Sequence, residues 1–237
     1  MGLCPLEFGA RNGLTGCRGA GVAEDLLEGY YKIRIDRRWD LEDLYKFPRA
    51  YEQVYFAFFS LMPHDDEYTR SRIDQAYATF PWRGGYSAVN FYNHLKYTVP
   101  KRQRPAIKSL QYASPGWIEL IAVAVTVSFL ISRVVKSVCA SIDAANNTYS
   151  NIHRELADRK LLRIEVEKKE LELLQHNLDF VRGANLEMAE LLQIPPTQIA
   201  EINRRTGSDL KTLKIFLSVF RRIRILADYQ NKGKADL

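Results

Sequence analysis

The chain has 237 residues, 46% of them hydrophobic and 26% charged, and a formal charge of +6. That length and composition supply an apolar core and exclude a disordered, collagenous or disulfide-scaffold chain, while the mild basic excess permits contact with phosphates or anionic lipid without requiring it. Cys4, Cys17 and Cys139 form no CxxC or CxH pattern, which excludes a zinc-finger spacing and reads as free thiols.

Residues 1–25 are Gly-rich and without periodicity. They lack the basic-then-apolar order of a signal peptide and read as a weakly ordered tail. Residues 30–36, "YYKIRID", alternate β-formers with polar residues and predict a strand. Asp40 with Asp43 three positions on is an approximate capping box for a first helix, which Pro48 is expected to kink or divide. Tyr51, Val54, Tyr55, Phe58 and Phe59 share one face of it. Residues 65–79 predict a second helix with Tyr68, Ile73 and Tyr77 inward. "FPWRGGY" predicts a turn, and its glycine pair lacks the GxGxxG or GxxxxGK spacing of a phosphate loop. Ser87 opens a third helix through Tyr97, with Val89, Tyr92 and Leu95 inward.

"VPKRQRP" reads as a basic loop and residues 106–114 as a second strand. Ile107 is one step out of phase with Leu110 and Tyr112, and a bulge reconciles the two halves. Strands separated by helices give an α+β unit over residues 26–116.

From Trp117 the pattern reads as helical, first through an apolar run and then through a long charged helix to about residue 182. Residues 117–135 span 19 positions, with Glu119 near one end and Arg133 near the other. A membrane-spanning helix needs about 20 apolar residues, so the run is expected to be a buried core helix, with a short span as the alternative. In that alternative Trp117 sits in the headgroup belt, Phe129 meets lipid and Arg133 lies on the cytoplasmic side.

A strand ending in "YASPG", then an apolar helix, then a charged helix, over residues 107–174, resembles a segment of uncharacterised bacterial proteins. These have been compared with the N-terminal domain of the death-receptor adaptor TRADD and discussed as parts of bacterial conflict systems. The resemblance implies an adaptor or effector role rather than catalysis.

Ile142, Ala145, Tyr149, Ile152 and Leu156 recur at spacings of three and four, the seam of a coiled coil or helical hairpin. A long helix outreaches a small domain, so the seam predicts self-association, with a homo-oligomer as the expected state. Glu165–Lys169 pairs support an exposed helix, which Gly183 is expected to end. Residues 185–207 resemble a helix-turn-helix, with Thr197, Gln198 and Arg204 facing a groove and Arg205 near phosphates. That family usually has Gly in the turn where Gln193 stands, and Glu201 would repel DNA. Residues 208–230 form an amphipathic helix capped by Ser208, with Phe216, Val219, Phe220 and Ile223 inward.

"HDDEY" at residues 64–68 gathers acids at a helix start, which fits a dipole complement better than a metal site. No nucleophile, base and orienter occur together, so neither a catalytic site nor a cofactor is expected. The sequence therefore predicts a predominantly helical α+β protein: a small N-terminal α+β unit, a long helix and a C-terminal helical bundle from residue 184. Its expected role is a scaffold or adaptor that self-associates, in the cytoplasm or at the inner membrane, with a protein partner or membrane contact. A DNA-binding regulator using residues 185–207 is the alternative.

Overall fold

The structure, a computed structural model, describes residues 29–79, 86–122, 125–163 and 175–237. The tail, the "WRGG" turn and the Glu165–Lys169 pair lie outside the described residues. The fold is a predominantly helical α+β one, with eight helices and a small four-stranded antiparallel sheet among the described residues.

Strand β1 (Gly29–Ile35) alternates as its sequence predicts, burying Tyr31, Ile33 and Ile35. Helix α1 (Leu41–Phe59) opens where Asp40 donates its N–H to Asp43 Oδ2 at 2.9 Å. It runs unbroken through Pro48, against the expected kink or division. Proline supplies no N–H to the Leu44 carbonyl, yet the six consecutive side chains Val54 to Phe59 are all buried, and that packing holds the helix together. Helices α2 (Glu67–Thr79) and α3 (Tyr86–Thr98) bury Ile73, Tyr77, Tyr92 and Leu95, but Tyr68 is 67% exposed rather than inward. Its position at the first turn leaves it at the rim. The acids beside it act as a cap: Asp66 Oδ2 accepts from the Thr69 N–H at 2.9 Å and the Thr69 hydroxyl at 2.6 Å. His64 packs on Phe59 with the rings tilted and their centroids 4.7 Å apart.

Strand β2 (Ala106–Gln111) carries the expected bulge, a register shift between Ile107 and Ser109. The next element corrects the sequence reading. Residues 117–135 are not one helix: β3 (Gly116–Ala122) is a strand, and α4 (Val125–Ala140) starts only after it. Ile118 and Leu120 face the core while Trp117, Glu119 and Ile121 face away, a period of two that pairs β3 with both β1 and β2. Helix α4 turns Val127, Ile131, Val134, Val135 and Val138 inward, and Cys139 is half-buried against the same core.

Helix α5 (Ile142–Asp158) leaves α4 at an angle of 92°, so the predicted long helix is bent at Ser141. No single helix among the described residues is long and apolar enough to cross a membrane, although the bent pair α4 and α5 together has the length and composition of a broken span. Trp117, Phe129 and Arg133 do not form a membrane-facing helix surface. Trp117 is on β3, Phe129 meets the Tyr31 ring at 5.6 Å, and Arg133 donates to Gln193 Oε1 at 2.6 Å.

Helix α6 (Gln175–Leu191) continues through Gly183, which therefore does not end it. Helix α7 (Pro196–Thr206) closes at Gly207 in the left-handed region, φ +67°. Helix α8 (Asp209–Asn231), capped by Ser208 Oγ accepting from the Lys211 N–H at 3.1 Å, is the central element: Leu210 to Phe220 are all buried. It packs on α1, α4, α6 and α7, and β4 (Ala235–Asp236) then pairs with β1. One continuous core therefore crosses the predicted boundaries at residues 116 and 184.

Asp43 locks this arrangement. Burial disfavours its charge, but bonds from Lys234 Nζ and Tyr229 Oη, both at 2.7 Å, and from the Asp40 N–H outweigh that and hold its carboxyl at about 2. Its contribution is present above pH ~4 and is lost as pH falls towards 2, because on acidification the unfolded chain takes up this proton near pH ~4 and the folded protein only near 2. Asp43→Asn is expected to cost about 2 kcal/mol near neutral pH and to flatten the acid limb of stability between pH ~4 and ~2, read by urea unfolding across that range.

Candidate functional site: an edge strand and the cleft beside it

The sheet order β2-β3-β1-β4 puts β2 at an edge, with β3 along one side only. Unpaired edges are templates for another strand unless blunted. The start of β2 is blunted by Pro105, Lys108 and the bulge, whereas residues 109–112 carry no proline, charge or bulge. Because of the bulge, Ile107 and Leu110 both pair with core-facing residues of β3, Leu120 and Ile118. Both nevertheless stay in solvent, 54% and 45% exposed, since β2 overhangs the helix layer.

Under the overhang lies a cleft of about 570 Å³ between the sheet, α1 and α3. Ile33, Ile118 and Leu120 floor it, and Phe47, Tyr51 and Phe56 of α1 wall it. Its mouth is polar, with Arg49, Glu52, Asn93 and Lys96. Lys96 Nζ lies 2.6 Å from Glu52 Oε1, and Arg49 donates to the Tyr45 hydroxyl. Behind the wall, the half-buried Arg222 donates to Gln53 Oε1 at 2.8 Å and lies 4.6 Å from the Tyr92 ring centroid. Burial lowers the Arg222 pKa from its ordinary value. An apolar floor with a polar mouth suits extended peptide, whose alternate side chains point one way.

These residues come from three segments that only the packing of α1, α3 and the sheet brings together. The Glu52–Lys96 pair spans 44 positions, and no local spacing marks it. The exposed Ile107 and Leu110 were legible as a strand face, but not as an overhanging one.

The sequence-predicted sites are placed differently. In the seam, Ala145, Tyr149, Ile152 and Leu156 are buried within this chain, and Ile142 is half-buried against the same core. Tyr149 stacks on Phe220 of α8 with centroids 5.3 Å apart. The bend at Ser141 folds α5 back on the bundle, so the chain's own helices cover the stripe and it is not open to a second copy. Residues 185–207 form the end of α6, a short turn and α7, and three of the four side chains predicted to read DNA are engaged within the protein. Arg205 is only 10% exposed, donates to the Ser60 carbonyl at 2.7 Å and lies 3.0 Å from Asp74. Arg204 is held by Glu201 at 2.7 Å and Asp74 at 3.1 Å. Gln198 donates to the Leu61 carbonyl at 3.3 Å. Thr197 and Arg204 are exposed, whereas Gln198 and Arg205 are partly buried. The helix that would enter a groove is docked on α2 and on Ser60 and Leu61, which follow α1.

In the turn, Gln193 takes the usual glycine's place with φ +53°. A side chain in that region is strained, and its bond to Arg133 is exposed and worth little. Gln193→Gly is expected to raise stability by about 0.5–1 kcal/mol, seen as a higher melting temperature.

No group of three or more His, Cys, Asp or Glu among the described residues could hold a metal ion. No protein-family model, curated protein or solved structure matches the chain.

Proposed function

We propose that the protein is a non-catalytic adaptor that captures an extended segment of a partner protein as an added strand on β2. Main-chain bonds to residues 109–112 supply affinity, and alternate side chains of the guest enter the cleft, where Arg49, Asn93 and Lys96 select among them. The observation that carries this reading is the open, overhanging edge beside a cleft with an apolar floor. Self-association through the α5 seam forms no part of it, since that stripe is buried.

A random peptide library displayed on phage, panned on the wild type, tests this. Alternating apolar peptides should be enriched and bind with a dissociation constant of about micromolar, as suits a short added strand. The doubly substituted Ile107→Asp, Leu110→Asp protein should bind them at least about tenfold more weakly while melting normally, because both side chains are already in solvent. Selected peptides that bind this variant as well as the wild type would place the site elsewhere.

A further inference from the structure

The helix layer covers one face of the sheet, and among the described residues the opposite face is left to solvent. On β1 that open face carries Tyr30, 62% exposed, with Lys32 and Arg34, and on β3 it carries Trp117. The Lys108 ammonium lies 3.5 Å from the Tyr30 ring centroid, and the Lys32 ammonium 4.9 Å from the Trp117 centroid. Two acids temper this charge. Glu119, at the centre, is engaged by Lys108 at 3.8 Å and the Ser109 hydroxyl at 3.0 Å, and Asp236 pairs with Arg34 in register and lies 3.6 Å from Lys136.

We infer that this face binds single-stranded nucleic acid. Each ring with its lysine offers the two things a nucleotide needs, an aromatic surface for the base and a cation for the phosphate. Base stacking displaces the ammonium from the ring and the phosphate receives it. Tyr30 and Trp117 lie four strand positions and one strand apart, about 14 Å at ~3.3 Å per residue and ~4.8 Å between strands. That exceeds one stacking step of about 3.4 Å, so the rings take bases that are not neighbours. A second copy stacked face to face would oppose Lys32, Arg34 and Lys108 with the same charges. Of this site only Lys108 lies on β2, and none of its rings or cations belongs to residues 109–112 or to the cleft, so the adaptor reading and this one fail separately.

Fluorescence anisotropy of a labelled uridine oligonucleotide with the full chain tests the inference. Binding is expected at low salt, with log affinity falling against log salt at a slope of about −2, from three cations at ~0.7 each. Tyr30→Ala should weaken binding by about tenfold, the loss of one stacked base, and Lys32→Glu with Lys108→Glu should abolish it. Circular dichroism melts are expected to match the wild type, because Tyr30, Lys32 and Lys108 are exposed. No binding at low salt overturns the inference. So does an affinity for duplex of the same length equal to that for the single strand, or insensitivity to Tyr30→Ala, either of which marks non-specific charge. Tighter binding to phosphatidylserine vesicles that depends on the same lysines would assign the face to a membrane and overturn it too.

Discussion

Ile131→Asp is expected to leave the protein unfolded at room temperature, whereas Phe129→Asp, two residues earlier on the same helix, is expected to fold. Ile131 is fully buried at 0% exposure and Phe129 is 62% exposed. An unpaired carboxylate at residue 131 has no cation to meet it among the valines of α4, and burying one costs several kcal/mol. Total stability of a domain is about 5–15 kcal/mol, so one such change removes much or all of it. Phe129→Asp forfeits mainly the edge contact with Tyr31, about 1 kcal/mol. Far-ultraviolet circular dichroism with thermal melts separates the two outcomes. The contrast is sharp because a membrane-embedded helix, apolar all round, would reject both substitutions.

Gly116→Ala is the second large effect. A Cβ at Gly116 would stand 2.3 Å from the Gln111 carbonyl oxygen, and 2.8 and 2.9 Å from the Ala113 nitrogen and oxygen. All three are backbone atoms of the β2–β3 connection, so no side chain can swing aside. The hairpin must open, at a cost of about 3 kcal/mol, the upper range for overpacking. Because β2 hangs on β3 alone, the damage falls on the edge and on the cleft it roofs. The variant is expected to melt at a lower temperature and to lose selected peptides even where it remains folded.

Much of the fold was legible where a local rule had no rival. The Asp40–Asp43 cap, the Ser208 cap and the bulge at Ile107 each follow from a few neighbouring residues. The division of the apolar run into β3 and α4 was not legible, for a physical reason. The alternation in β3 is present, with Ile118 and Leu120 inward and Glu119 outward, but the outward Ile121 blurs it. No glycine or proline separates the strand from α4, so the period changes without punctuation. Missing that change also hid a third strand of the sheet and made α4 and α5 look like one long rod. Pro48 and Gly183 misled in the opposite sense, because tertiary burial on α1 and α6 overrides a local preference for breaking. The cleft was out of reach altogether, since Arg49, Asn93, Lys96 and Ile107 converge only after folding.

Amide hydrogen exchange measures most directly whether β2 accepts another strand. In the wild type, amides within residues 109–112 are expected to exchange quickly in the free protein and to become protected when a selected peptide binds, while β4 at the other edge is unchanged. Unaltered exchange throughout residues 106–112 at saturating peptide would contradict it.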